Sequence, residues 1–128
     1  MTSDRFVGLR RAAERRGRRG EFLAVLLLLL KGYRILDRRV RTHVGEIDLV
    51  ARSPWGILCF VEVKARASLR EAQESLLPRQ QVRIARAAEL YLARRRSLRP
   101  KGVRFDTIMV FRHRWPHHQR DAWRPDGA

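Results

Sequence analysis

The sequence predicts an α/β fold: a central mixed sheet flanked by helices, with elements in the order α-β-β-β-α-β. Three observations carry this. Gly45–Ala51 and Val61–Arg66 alternate apolar and polar residues at period 2, as strands do, and Arg52-Ser53-Pro54-Trp55-Gly56 between them has the composition of a turn. Phe22–Leu30 is apolar on every side and is followed by Lys31-Gly32, a helix ending in a glycine cap. Finally, Ile84, Ala85, Ala88, Tyr91 and Leu92 recur at helical spacing after Pro78.

Composition sets the bounds. The 128 residues, 45% of them hydrophobic, read as one domain over 1–128, large enough to bury a core without disulfide or metal staples. Lys and Arg number 29 against 13 Asp and Glu, for a formal net charge of +16. So basic a chain attracts polyanions, nucleic acid first and an anionic membrane surface second. Its bias toward arginine over lysine carries no such message, because swapping the two leaves the charge unchanged. The single cysteine, Cys59, excludes an internal disulfide and suits a reducing, cytoplasmic setting. It stands in the apolar run Ile57–Val61, which makes it a core residue.

Taken in order, residues about 1–17 form a basic N-terminal arm, able to lie on phosphates or simply to be solvated. A buried helix is predicted from about Arg18 to Lys31, with Glu21 in the first turn at the positive end of the helix dipole. It is not read as a secretory segment, since Glu21 opens it and no small-residue cleavage site follows; nine apolar residues are also too few to span a bilayer. Tyr33–Val40 reads as a first strand, then the two hairpin strands, then a loop or short mobile helix over Ala67–Leu77. The second helix runs from about Pro78, well suited to a first helical position, to Arg96, and carries Arg79, Arg83 and Arg86. Some of these arginines are expected to face nucleic acid, although solvation is the default for any one of them. Phe105–Phe111 reads as an interior strand. The tail, about 112–128, holds Trp115, Trp123, His113, His117 and His118, with no cysteine or carboxylate at the spacing of a metal site.

The hairpin carries the chemistry. Residues two apart on a strand share a face, so Glu46 goes with Asp48 and Glu62 with Lys64. Mg²⁺ prefers oxygen ligands and commonly takes one or two carboxylates, which Asp48 and Glu62 on adjacent strands can supply. Such a cation polarises a phosphodiester and acidifies a bound water. Lys64 is the compact ammonium beside it. The plain alternative is a half-exposed strand pair held by a cross-strand salt bridge.

Gly20-Glu21, Gly32-Tyr33, Gly45-Glu46-Ile47-Asp48-Leu49, Phe60-Val61-Glu62-Val63-Lys64-Ala65-Arg66 and Arg104-Phe105-Asp106 follow the order seen in the YraN-like bacterial family, which the sequence resembles from roughly Gly17 to Trp123. That family is similar to the PD-(D/E)XK nucleases, close to archaeal Holliday-junction resolvases. The resemblance implies a restriction-endonuclease-like core in which Asp48 is the motif aspartate, Glu62 the D/E position, Lys64 the lysine and Glu21 the extra acid from the first helix. Ile47 stands where the motif proline usually does. It further implies Mg²⁺, with Mn²⁺ as a substitute, and a homodimer, because a four-way junction needs two symmetric cuts. Arg66, with Arg79 and Arg83, is expected on the nucleic acid. Glu46 is expected to support or merely flank the site, and Asp106 to resemble a family position or pair with an arginine.

The expected function is therefore a metal-dependent endonuclease acting on structured or branched DNA in repair or recombination. A non-catalytic nucleic-acid-binding module that keeps the nuclease fold is the rival, and a protein adaptor using Trp115 and Trp123 a third.

Overall fold

The computed structural model describes residues 19–66 and 78–125. The basic arm of about 1–17 and the predicted loop or helix at Ala67–Leu77 lie outside them. Helix α1 covers residues 19–30 and ends as expected. Gly32 adopts φ 85°, its N–H donates to the Leu29 carbonyl at 3.0 Å, and the Tyr33 N–H reaches back to Leu28 at 2.9 Å. This is the paired closure of a Schellman end.

Three antiparallel strands follow: β1 (Arg34–Arg41), β2 (Glu46–Arg52) and β3 (Ile57–Arg66). The β2–β3 turn is fixed by Ser53, whose Oγ accepts from the Ile57 N–H at 3.0 Å, and by Gly56 at φ 88°. Helix α2 (Pro78–Arg94) then crosses over, so that β4 (Gly102–Phe111) pairs parallel to β3. A further strand, β5 (His117–Trp123), closes the edge in the sheet order β1-β2-β3-β4-β5. It falls in the stretch read above as a tail.

The sheet is covered on both faces. Ala24, Leu27 and Leu28 of α1 pack with Leu49, Ala51, Cys59, Val61, Ile108 and Val110. On the other face Ile84, Ala87, Ala88 and Tyr91 of α2 pack with Ile47, Val50, Leu58, Phe60 and Phe105. One expectation is corrected here. Helix α1 is not buried all round: Phe22 is 63% and Leu30 66% exposed, with Leu26 and Leu29 beside them. Its apolar residues exceed what a single sheet face can cover, so one side meets the core and the other meets solvent.

Candidate metal and nucleic-acid site

The site forms where the β2–β3 ladder stops. Pairing runs from Arg52–Leu58 through Ala51–Cys59 and Val50–Phe60 to Leu49–Val61. At the next position the Asp48 side chain takes over from a backbone carbonyl, and its Oδ2 accepts from the Val63 N–H at 2.8 Å. The strand also twists through this point, because Ile47 packs toward α2 and Leu49 toward α1. Asp48 and Glu62 share a side-chain hydrogen bond, which joins the two carboxyls predicted to act together. Burial pushes the Asp48 carboxyl above the usual carboxylate range, and the charges of Glu21 and Glu46 add to this. The Val63 N–H and the bond with Glu62 act the other way without cancelling it.

Glu21 arrives through packing at the start of α1. Gly20 is buried, and a Cβ there would sit 3.5 Å from the Ala65 Cβ and 3.7 Å from Val63. The first turn of α1 therefore rests on β3 at the level of Val63–Ala65, and the Glu21 charge bears on Asp48. The Glu21 carboxylate itself is held by Arg39, whose Nε donates to Oε2 at 2.8 Å. Arg39 lies between the pairs Arg38–Leu49 and Val40–Ile47, opposite Asp48, and its backbone is left-handed at φ 50°. A non-glycine residue in that region inside a strand is uncommon. Sequence reading did not single out Arg39; its only signal was membership of the basic run Arg38-Arg39.

Lys64 is buried, 7% exposed, two residues beyond Glu62. Glu46 is largely exposed and stands 3.8 Å from Arg41. Arg66 ends β3, and its side chain lies outside the described residues. Arg79 and Arg83 are exposed on α2. Gly45 ties that helix to the site, since a Cβ at Gly45 would stand 2.6 Å from the Arg83 carbonyl oxygen. Backbone meets backbone there, a few residues from Asp48. Among the described residues no three His, Cys, Asp or Glu side chains form a ready-made ligand cluster. The donor set nevertheless fits a hard cation. It is all oxygen, two carboxylates suffice for Mg²⁺, and burial with the nearby acidic charge disfavours ionisation of Asp48 until positive charge enters.

Asp106 belongs to a different constellation. It is fully buried, bonded by Arg104 through Nε and Nη2 at 2.8 Å each, by His118 Nε2 at 2.8 Å and by the Asp121 N–H at 3.0 Å. Arg104 Nη2 also donates to the Tyr33 hydroxyl at 2.7 Å, and Lys31 Nζ meets His118 Nδ1 at 2.6 Å. With Lys31 as the donor, Nδ1 carries the lone pair and Nε2–H donates to Asp106. Burial alone would raise the Asp106 pKa; the bonds from His118, Arg104 and the Asp121 N–H outweigh it and hold it at about 2. The network clamps β4, β5 and the end of α1 together, which assigns Asp106 to the arginine partner and His118 to structure. Nearby, burial pushes the Cys59 thiol up to about 12, in keeping with a core residue.

The family model described as "Uncharacterised protein family UPF0102" matches residues 20–110, a span holding Glu21, Asp48, Glu62 and Lys64. The chain belongs to the UPF0102 family. A UPF0102 protein of Maricaulis maris is 53% identical over 116 residues, 91% of each chain. One from Parvibaculum lavamentivorans is 53% identical over 114 residues, 89% of this chain and 85% of its own. One from Mesorhizobium japonicum is 49% identical over 114 residues, covering 89% and 90%. The UPF0102 match stops near the end of β4, so β5, with His118 and Asp121 of the Asp106 clamp, lies beyond it, while Asp106, Arg104, Tyr33 and Lys31 fall within it. Among the described residues no helix is long and apolar enough to cross a membrane.

Proposed function

We propose that this UPF0102 chain is a metal-dependent endonuclease for structured or branched DNA. The observation that carries the reading is the hydrogen-bonded Asp48–Glu62 pair, with the charge of Glu21 beside it, in a chain of net charge +16. A bound Mg²⁺ or Mn²⁺ would neutralise charge at the attacked phosphate and acidify a water. Asp48 and Glu62 would hold the cation through carboxylate oxygens, and Glu21, now paired with Arg39, would be the third acid available to it. Lys64, buried on the same strand as Glu62, orients the attacking water or the phosphate. Arg79 and Arg83 steady the polynucleotide backbone through charge, so binding weakens steeply with salt. A cytoplasmic location and a homodimer accompany this reading.

The test incubates wild type and Asp48→Ala with linear, branched and single-stranded DNA and with RNA, in Mg²⁺ and in Mn²⁺. Cleavage of a branched DNA by wild type alone supports the reading; no cleavage of any substrate, or equal cleavage by both proteins, defeats it. One observation favours the rival, a non-catalytic binding module: Asp48 and Glu21 already have protein partners, Val63 and Arg39. In that case nucleic acid binds with the same affinity with or without Mg²⁺, and Asp48→Ala leaves binding intact.

A further inference from the structure

A second recess lies away from the acidic pair, at the end of β3 and β4 where those strands begin. It is a cavity of about 660 Å³ between Ala88 and Leu92 of α2 and Val103, Phe105 and Trp123 of the sheet. This falls within the range of small-ligand sites, about 300–1,000 Å³. Three aromatic rings run up to it. Phe60 stacks on Phe105 with centroids 5.6 Å apart, and Phe105 meets Trp123 at 4.4 Å and an interplanar angle of 32°. Trp123 is the last ring of the column and is only partly buried. A planar ring entering the cavity extends the stack by one member.

The rim says which ring. Arg124 is exposed at the mouth but held by Asp121 at 2.8 Å, so a phosphate is drawn here by the surplus positive charge of the chain as a whole. A planar group that arrives with a phosphate attached is a nucleobase. Glu89, exposed on the same wall, offers only acceptor oxygens and so suits a base bearing an exocyclic amine. We propose that this recess takes a single unstacked nucleobase of a bound polynucleotide, held on Trp123, and that it thereby selects nucleic acid containing an unpaired nucleotide. The recess stands where β3 begins and the acidic pair at the middle of that strand; from Ile57 to Glu62 is about 17 Å along it. The inference rests on the nucleic-acid reading above and narrows its substrate to flaps, bulges and junctions with an unpaired base.

The experiment titrates the full chain, carrying Trp55→Phe and Trp115→Phe so that Trp123 is the sole indole, with two oligonucleotide duplexes. One is fully paired and the other has a single-adenine bulge. The bulged duplex should quench Trp123 and bind about 5- to 100-fold more tightly, the usual worth of one base–aromatic stack. Val103→Glu, at a position 44% exposed and so tolerant of change, should abolish that preference while leaving affinity for the paired duplex within about twofold. Trp123→Leu should do the same, read by fluorescence anisotropy of a labelled duplex, with circular dichroism confirming the fold of each variant. Equal binding of the two duplexes by the Trp123-only protein overturns this inference and leaves the nucleic-acid reading standing. So does a preference that survives Val103→Glu. No binding of either duplex at low salt overturns both. A shift of Trp123 emission by N-acetylphenylalaninamide with none by adenosine monophosphate also overturns the inference, assigning the recess to a protein side chain.

Discussion

Arg39 and Glu21, one on an edge strand and one on the first helix, meet at 2.8 Å directly beside the Asp48–Glu62 pair. On the metal-dependent reading proposed above, the contact would keep the third acid from the cation. Glu21 is 13% and Arg39 43% exposed, so the bond itself is worth about 1 kcal/mol or less. Arg39→Ala should therefore tighten Mg²⁺ binding by a few-fold, seen by calorimetry, with little change in stability. Weaker binding in the variant would mean that Arg39 presents Glu21 to the cation instead of withholding it.

The left-handed backbone at Arg39 allows a separate check. At φ 50° glycine is at ease and alanine is not. Arg39→Gly and Arg39→Ala both lose the ion pair, so their difference reports the backbone strain relieved by glycine less the extra freedom glycine gives the unfolded chain. Chemical denaturation should find the glycine variant more stable by about 1 kcal/mol.

Asp48 should cost the fold stability at neutral pH. Its pKa is raised in the native state by burial and by Glu21. A carboxyl shifted in that direction favours the fold when protonated, below about pH 4, and this contribution is lost as pH rises through the native value. Asp48→Asn cannot ionise and escapes the loss. Its denaturation midpoint should exceed that of wild type at pH 7, with the gap closing at pH 3, while Mg²⁺ binding disappears. A lower midpoint at pH 7 would argue for a purely structural aspartate.

Asp106 has the opposite sign. Its pKa of about 2 lies below the unfolded value near 4, so its contribution is full above pH 4 and is lost as pH falls toward 2. The shift corresponds to about 2 kcal/mol. Asp106→Asn leaves Arg104 without its carboxylate partner and should lose about 3 kcal/mol at pH 7, measured by urea denaturation.

Gly45→Ala tests how α2 is held to the site. The added methyl would lie 2.6 Å from the Arg83 carbonyl oxygen, a backbone atom that cannot swing away. The variant should lose about 1–3 kcal/mol. It should also weaken DNA binding as Arg83 is displaced, which electrophoretic mobility shift would record.

Much of this architecture is legible in the sequence. Period-2 alternation sets β2 and β3, turn residues set Arg52–Gly56, and Pro78 and Gly32 mark helix ends within two residues of where they fall. The joining of Asp48 to Glu62 follows from the hairpin. What escapes is set by tertiary contact. β5 reads His-His-Gln-Arg-Asp-Ala-Trp, an edge strand too polar to show a buried face, so its pattern is that of a tail. The apolar excess of α1 suggests burial on all sides, whereas only one side finds a partner. Arg39 and His118 owe their roles to residues 18 and 12 positions away along the chain, and no local pattern announces such pairs.

The parallel pairing of β3 with β4 has a consequence for how the molecule assembles. β1, β2 and β3 close on one another through short turns, whereas β4 can dock only after everything between Arg66 and Gly102 has been looped out. Short closures are fast, and long ones must pay their entropy before any contact rewards them. The Asp48–Glu62 pair thus belongs to the segment that organises first, and the aromatic recess, which needs α2, β4 and β5 together, to the one that organises last. Pulsed hydrogen exchange should protect the amide of Val63, bonded to Asp48, ahead of the amides along β4.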